Sequence, residues 1–415
     1  MDPSSEFISV DEKVDSNLMQ PSITRRRLLA VAGVSAVGGA VLPRLSGTAY
    51  DPSEQEAWNH PLADPGNTAA VSLSGITGEP ELNWTRQFNP SDLFRFRGFT
   101  HVDDLLLVPA HDRLRALSTD TGDTQWTVTL PTDRREHQQL DSAPNVHDDK
   151  CILASLASVY AVDVRTGRPR WRYDLSSSTD GLILLGNTAY VSAQLNGGDR
   201  LIALDATSGR ERWQSDGRWI PLAATEDVVL VQSDARKPND SRLAAFDPET
   251  GVRLWTDNES LETRRMRELR DGVAVADDTV FITDDGSLLA VDARTGEHRW
   301  SRSLDGESST YLDRLAVGDD VYVVQPDVNR VLCVSTTGDP LWDRELPGTE
   351  HGVSVGGEYV YVARRVGMTV LEPETGETAF SIDAAETPGH SWTPVVDDGV
   401  VYGIAGNTVY RVDTQ

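Results

Sequence analysis

The sequence predicts an all-β fold, an eight-bladed β-propeller built from four-stranded antiparallel blades. Two observations carry this expectation. One short phrase recurs along the chain, best formed as Ala161-Val-Asp163-Val-Arg-Thr166-Gly167-Arg-Pro-Arg-Trp171, with copies at Ala116 to Trp126, Ala203 to Trp213, Ala245 to Trp255 and Ala290 to Trp300, and a degenerate one at Val334 to Trp342. Its tryptophans, Trp84, Trp126, Trp171, Trp213, Trp255, Trp300 and Trp342, are spaced by 42, 45, 42, 42, 45 and 42 residues, and Phe380 holds the eighth place. A period of this length made only of strands and turns is the signature of a propeller.

The elements follow in order. Residues 1–49 read as a polar, aperiodic stretch followed by an export signal: Thr24-Arg25-Arg26-Arg27-Leu28-Leu29 precedes the small, apolar run Ala30 to Leu42, which is the charged-then-apolar order of a secretory signal. Gly47-Thr-Ala49 is a cleavage candidate, and no cysteine follows the apolar run to make a lipoprotein. Residues 50–80 form a lead-in rich in turn formers, Trp58-Asn-His-Pro-Leu-Ala-Asp64-Pro-Gly-Asn67-Thr68, expected to lie across the propeller. Residues 81–415 are the propeller itself.

A single blade shows the logic. Ser142 to Val146 is a first strand, Asp148-Asp149 a tight turn and Lys150 to Ala154 a second strand. Val159 to Asp163 is a third, Arg165-Thr-Gly167 the next turn, and Pro169 to Tyr173 the outer strand. The glycines of this turn, Gly122, Gly167, Gly209, Gly251, Gly296, Gly338 and Gly376, supply a positive φ. The tryptophans supply apolar area between neighbouring sheets. Both are structural. Third strands are expected near Leu114, Tyr160, Ile202, Ala244, Leu289, Leu332, Val370 and Tyr410. The last has no outer strand after it, and Trp84 opens an outer strand with no blade before it. Pairing those two closes the ring and removes an exposed edge.

Composition narrows function. There are 65 Asp+Glu against 38 Lys+Arg, a formal charge of −27, and the lysines are only Lys13, Lys150 and Lys237. Acid-rich, lysine-poor surfaces suit concentrated salt, where charge is screened within about 3 Å at 1 M. The same sign argues against nucleic acid as a partner. Cys151 and Cys333 fall in apolar strands of separate repeats and are expected as buried free thiols; no Cys/His spacing indicates a metal.

The Ala-x-Asp-x-x-Thr-Gly-x-x-x-Trp phrase resembles the PQQ-like β-propeller repeat family, over roughly residues 58–415. That family includes quinoprotein alcohol dehydrogenases and outer-membrane assembly lipoproteins of the BamB type. With its Thr-Arg-Arg-x-Leu-Leu segment, which resembles a twin-arginine export signal, the chain looks like the secreted haloarchaeal members. The resemblance implies the fold; it leaves function open between a binding scaffold, an envelope sensor and a dehydrogenase. In the dehydrogenases PQQ and calcium sit on the propeller axis, with an aspartate base and a disulfide of adjacent cysteines. This sequence has no adjacent cysteines, no long inserts and no aspartate that matches the base. No nucleophile elbow, His-Glu-x-x-His or phosphate loop is expected. Asp284-Asp-Gly286 and Asp397-Asp-Gly399 read as turns rather than calcium fragments. The expectation is therefore no cofactor, with PQQ and calcium as the rival reading.

Strand polarity sends the Thr-Gly turns and the Asp-Asp turns to one face. Length variation, at residues 87–101, 130–141, 193–200, 234–241, 257–271, 303–312 and 382–392, falls on the other, and variable loops on a rigid scaffold carry function. Phe94, Arg95, Phe96, Arg97 and Phe99 offer an apolar, cationic contact surface. Arg264, Arg265, Arg267 and Arg270 offer carboxylate or phosphate recognition. His111, His137, His351 and His390 map to the same face as solvated loop histidines. The partner is expected to be an unidentified envelope or extracellular protein, with the membrane touched only through an uncleaved signal, and the location is extracellular or at the cell surface.

Overall fold

The computed structural model describes Trp58 and residues 60–89, 98–110, 113–130, 140, 142–155, 158–176, 179, 181–195, 198–233, 243–257, 272–284, 286–304, 314–385, 390–391 and 393–414. The signal segment and residues 50–57 lie outside them.

Eight antiparallel sheets are present. Blade one runs from Thr100–Val102 to Thr124–Thr129, and blade two comprises Asn145–His147, Lys150–Ser155, Ser158–Asp163 and Pro169–Asp174. Blades three to seven begin on Leu182–Leu185, Trp219–Ala224, Val273–Ala276, Arg314–Val317 and Thr349–Gly356. Blade eight joins Val395–Asp397, Val400–Ala405 and Thr408–Thr414 to Pro80–Gln87, an outer strand from the other end of the chain. Its register runs from Pro80 opposite Thr414 to Gln87 opposite Thr408. Closure is as the repeat count predicts. All eight third strands fall where expected.

Each motif residue has a mechanical task. In blades two to five the motif aspartate accepts from the turn: Asp163 from the Thr166 N–H, Asp205 from Ser208, Asp247 from Thr250 and Asp292 from Thr295, at 2.8–2.9 Å. An arginine on the outer strand then grips three of these carboxylates, Arg170 on Asp163, Arg212 on Asp205 and Arg299 on Asp292. The Arg212 guanidinium and the Ser208 hydroxyl hold the Asp205 carboxyl down to about 2.

The glycine and tryptophan act together across blades. Each indole N–H donates to a backbone carbonyl in the next blade's turn: Trp84 to Thr119, Trp126 to Val164, Trp171 to Ala206, Trp213 to Pro248, Trp255 to Ala293, Trp300 to Thr336 and Trp342 to Pro373, at 2.5–3.0 Å. Beneath each ring lies the glycine of that turn. A Cβ on any of the seven would sit 2.5–2.8 Å from an indole carbon. The glycine is therefore required twice, by its positive φ (67° at Gly167) and by close approach.

All eight outer strands carry a β-bulge just before the aromatic residue. The extra residue turns the side chain toward the neighbouring blade, which is what bulges do. Cys151 and Cys333 are free and buried, in blades two and six.

Candidate functional site

The innermost strands of successive blades stand side by side around a central shaft. Their edges facing the axis have no further strand to pair with, so their N–H groups need other acceptors.

At the Thr-Gly end the lead-in segment supplies the acceptors. The Trp58 carbonyl accepts from His101 N–H of blade one, Pro65 from Ala224 of blade four, Gly66 from Val275 of blade five, Thr68 from Val317 of blade six and Ala69 from Val355 of blade seven, at 2.7–3.0 Å. The five donors occupy the same position in their blades, just before the turn to the second strand. Side chains add to this set: His60 Nδ1 donates to Asn145 Oδ1 of blade two at 3.0 Å, and Asn67 Nδ2 donates to the Leu222 carbonyl. Residues Ala70–Val71 then pair in parallel with Val355 and Gly356, and the Ile76 N–H reaches Tyr361 Oη at 3.1 Å. The segment thus visits blades one, two, four, five, six and seven in order, as a collar that plugs the shaft. It turns this tightly through left-handed residues at Ala63, Asn67 and Ala69, with φ of 67°, 60° and 53°. Gly66 is needed for proximity, since a Cβ there would lie 2.4 Å from the Val275 carbonyl oxygen. Burial pushes the His60 imidazole down to about 4. The expected crossing of the propeller is thus a circuit of its axis.

The opposite end, on the loop-rich face, carries a cluster of charged groups from blades six, seven and eight. Glu350 lies in the first strand of blade seven, its side chain only 7% exposed; it accepts from Arg365 Nε at 2.9 Å and faces His390 Nδ1 at 3.4 Å. The side chains of Arg365 and His390 stay 66% and 85% exposed. Half-buried His351 lies beside them, its imidazole lowered by burial and then by the charge of Arg314. His390 is solvated as expected, whereas His351 is not. A buried carboxylate holding a guanidinium and an imidazole at the surface presents donors outward and suits polar or anionic groups. Sequence reading missed Glu350, Arg314 and Arg365, because their positions carry no repeat signature and converge only when neighbouring strands and blades pack.

Among the other predicted site residues, Phe94, Arg95, Phe96, Arg97, Arg264, Arg265, Arg267, Arg270, His111 and His137 lie outside the described residues. Phe99 is described and is 1% exposed within the core, so it presents no contact surface. It is covered because it precedes the first strand of blade one, next to the collar. Phe88 is also buried, and the cation over its ring is Arg115, at 5.2 Å. Asp397 and Gly399 form a blade turn, where Asp397 faces His101 Nε2 at 3.4 Å. One string, Gly352-Val-Ser354-Val-Gly356, does have the Gly-x-Ser-x-Gly spacing. It is a β-strand with Ser354 fully buried, and not the exposed strand-to-helix turn that a nucleophile elbow requires. Among the described residues no three His, Cys, Asp or Glu side chains converge as metal ligands.

The sequence matches the family described as "Outer membrane protein assembly factor BamB" over residues 81–215, 156–324 and 327–415. The chain belongs to this BamB-like PQQ-propeller family. Individual relatives are diverse. The chain is 32% identical over 178 residues to the serine/threonine-protein kinase AfsK of Streptomyces coelicolor, covering 40% of this chain and 19% of that one. It is 29% identical over 167 residues to a quinohemoprotein alcohol dehydrogenase of Comamonas testosteroni, covering 35% and 23%. It therefore spans about a fifth of the length of these curated relatives. Among solved structures, BamB from Moraxella catarrhalis superposes with a TM-score of 0.58 at 20% identity, covering 80% of this chain and 99% of that one. The quinohemoprotein alcohol dehydrogenase ADHIIG from Pseudomonas putida gives 0.66 at 13%, covering 87% and 81%. Likeness at these identities concerns the fold alone.

Proposed function

We propose that this protein is an exported propeller that binds another envelope or extracellular protein, or a ligand, through its loop-rich face, as a scaffold rather than a catalyst. The observation that carries this reading is the cluster at the mouth. Glu350 holds Arg365 and His390 while most of their side-chain surface stays exposed, on the face away from the seven indole locks. Family membership supports it in general terms, since the family is described by an assembly factor. Export by the twin-arginine route and adaptation to high salt, as in secreted haloarchaeal proteins, belong to the same proposal, motivated by Arg25-Arg26 and the charge of −27.

The dehydrogenase reading has one support, the partial match to a quinohemoprotein alcohol dehydrogenase. A calcium-bound quinone does not fit the described residues. Calcium takes about six to eight oxygen ligands, whereas the buried carboxylate described at the mouth, Glu350, is already engaged by Arg365 and His390 and has Arg314 and His351 nearby. At the opposite end the axis is filled by the collar, and the two cysteines lie in separate blades. A sensor reading draws on the kinase match, in which the similar stretch is a small part of a longer chain.

A photo-crosslinking residue at position 365 or 390, activated on native membranes, tests the scaffold reading. A discrete adduct that Glu350→Ala abolishes is the expected result. Stoichiometric quinone absorbance in the purified protein, or alcohol oxidation after addition of PQQ and calcium, would replace it with the dehydrogenase. For the salt proposal, circular dichroism should show unfolding as salt is dialysed away, and full stability in dilute buffer would reject it.

A further inference from the structure

We infer that the Thr-Gly end of the shaft is a polypeptide-binding site, which this chain occupies with its own residues 58–71 as an exchangeable plug. The collar has the character of a bound peptide rather than of a blade. Its polar contacts to the ring are mainly backbone: five carbonyls accept from five equivalent inner-strand N–H groups, and Ala70–Val71 add a parallel strand to blade seven, while Trp58, Ala63, Ala69 and Val71 are buried against the core. This is recognition by strand addition, in which main-chain bonds give affinity and a few side chains give register. Register here comes from His60 on Asn145, Asn67 on Leu222 and the close fit of Gly66 under Val275.

Three features separate the plug from the ring. The ring closes without it, through Pro80–Gln87 on Thr408–Thr414. The stretch joining it to that outer strand is exposed at Ser72, Ser74, Thr77, Gly78 and Glu79. Within the plug, Ala63 and Ala69 hold a left-handed backbone that alanine avoids when unconstrained, so the docked conformation is imposed by the site. The partner class that fits is an extended segment presenting successive carbonyls around the axis, with a glycine where the Val275 carbonyl approaches.

The test uses the full chain with a specific protease site placed at residues 77–79. After cleavage of the folded protein, the N-terminal fragment should stay bound on gel filtration, and a labelled synthetic peptide of residues 58–76 should exchange into the site. The same peptide with Gly66→Ala should exchange at least tenfold more weakly, and a scrambled one should not bind. Hydrogen exchange on the uncut protein provides a second measurement. The amides of His101, Ala224, Val275, Val317 and Val355 should exchange together through a local opening, faster than amides bonded between first and second strands. Loss of the fragment that melts the propeller, equal exchange of the Gly66→Ala peptide, or exchange of those five amides only by global unfolding would each overturn the proposal, by making the collar an integral part of the ring.

Discussion

Seven seams between blades are closed by a periodic device, and the eighth, between blades seven and eight, is closed by something else. In the seven, an indole lies over a glycine and donates to a carbonyl of the next turn. In the eighth the corresponding residue is Phe380. The reason lies in the partner. In blade eight the third strand ends at Thr414 and the outer strand begins at Pro80, so they are not linked by the turn that carries the glycine and the accepting carbonyl at the other seams; the nearby Gly78 lies against Thr414 and not against an aromatic ring. Phe380 packs instead edge-on to Tyr359, at 5.9 Å. At this seam the stretch that follows the plug takes part: a Cβ on Gly75 would meet both Tyr361 of blade seven and Val396 of blade eight, and the Ile76 N–H reaches Tyr361 Oη. Aperiodic chain does at one seam what the motif does at seven.

The largest test of this contrast is truncation. Trp126→Ala removes a buried ring and its hydrogen bond and should cost about 3–5 kcal/mol. Phe380→Ala, at a half-buried ring with no such bond, should cost about 2 kcal/mol. Denaturant unfolding of the two variants measures the difference; equal losses would mean that the seams are equivalent after all.

Acid distinguishes the indole locks from the collar next. The indole locks contain no group that titrates near neutrality, whereas the collar is pinned by His60, buried against Asn145 with a pKa of about 4. The folded protein binds that proton less readily than the unfolded chain does, whose histidine titrates near 6.5. The contribution is therefore constant above about pH 6.5 and is lost as pH falls toward 4, on the order of 3 kcal/mol in all. Melting of the wild type and of His60→Gln across this range checks it: the variant should show the shallower slope.

A glycine pair separates close approach from backbone conformation. Gly251 and Gly399 have nearly the same φ, 69° and 71°. A Cβ on Gly251 meets Trp213 at 2.5 Å, whereas one on Gly399 meets nothing within 4 Å. Gly399→Ala should cost about 1 kcal/mol for the left-handed backbone alone. Gly251→Ala should add about 1–3 kcal/mol for displacing the indole.

These contrasts also show which parts of the molecule the sequence could disclose. The blade count, the ring closure and the locks were legible because Gly251 or Trp213 repeats a local requirement at fixed spacing. The collar was not, since its bonds come from main-chain carbonyls, and Pro65, Gly66 and Asn67 announce only a turn. Glu350 and its neighbours were invisible for another reason. Arg314, Glu350, Arg365 and His390 lie on separate strands and loops of neighbouring blades, and only the packing of those elements makes them neighbours. The bulges before each aromatic were hidden inside the constant spacing from turn glycine to aromatic, the same from Gly251 to Trp255 as from Gly338 to Trp342.

The smallest expected effect is the most diagnostic. Phe380→Trp would complete the motif by composition, and if the aromatic type alone made a lock, this variant would gain what the other seams have. The third and outer strands of the facing blade are not joined by the turn that supplies carbonyl and glycine at the other seams, so the added indole N–H is expected to turn to water at this half-buried site. Area gained and polar desolvation then nearly cancel, leaving a change within about 1 kcal/mol. A melting temperature raised by more than that allows would show that the indole finds an acceptor, and that the eighth seam differs from its neighbours only in the residue it happens to carry.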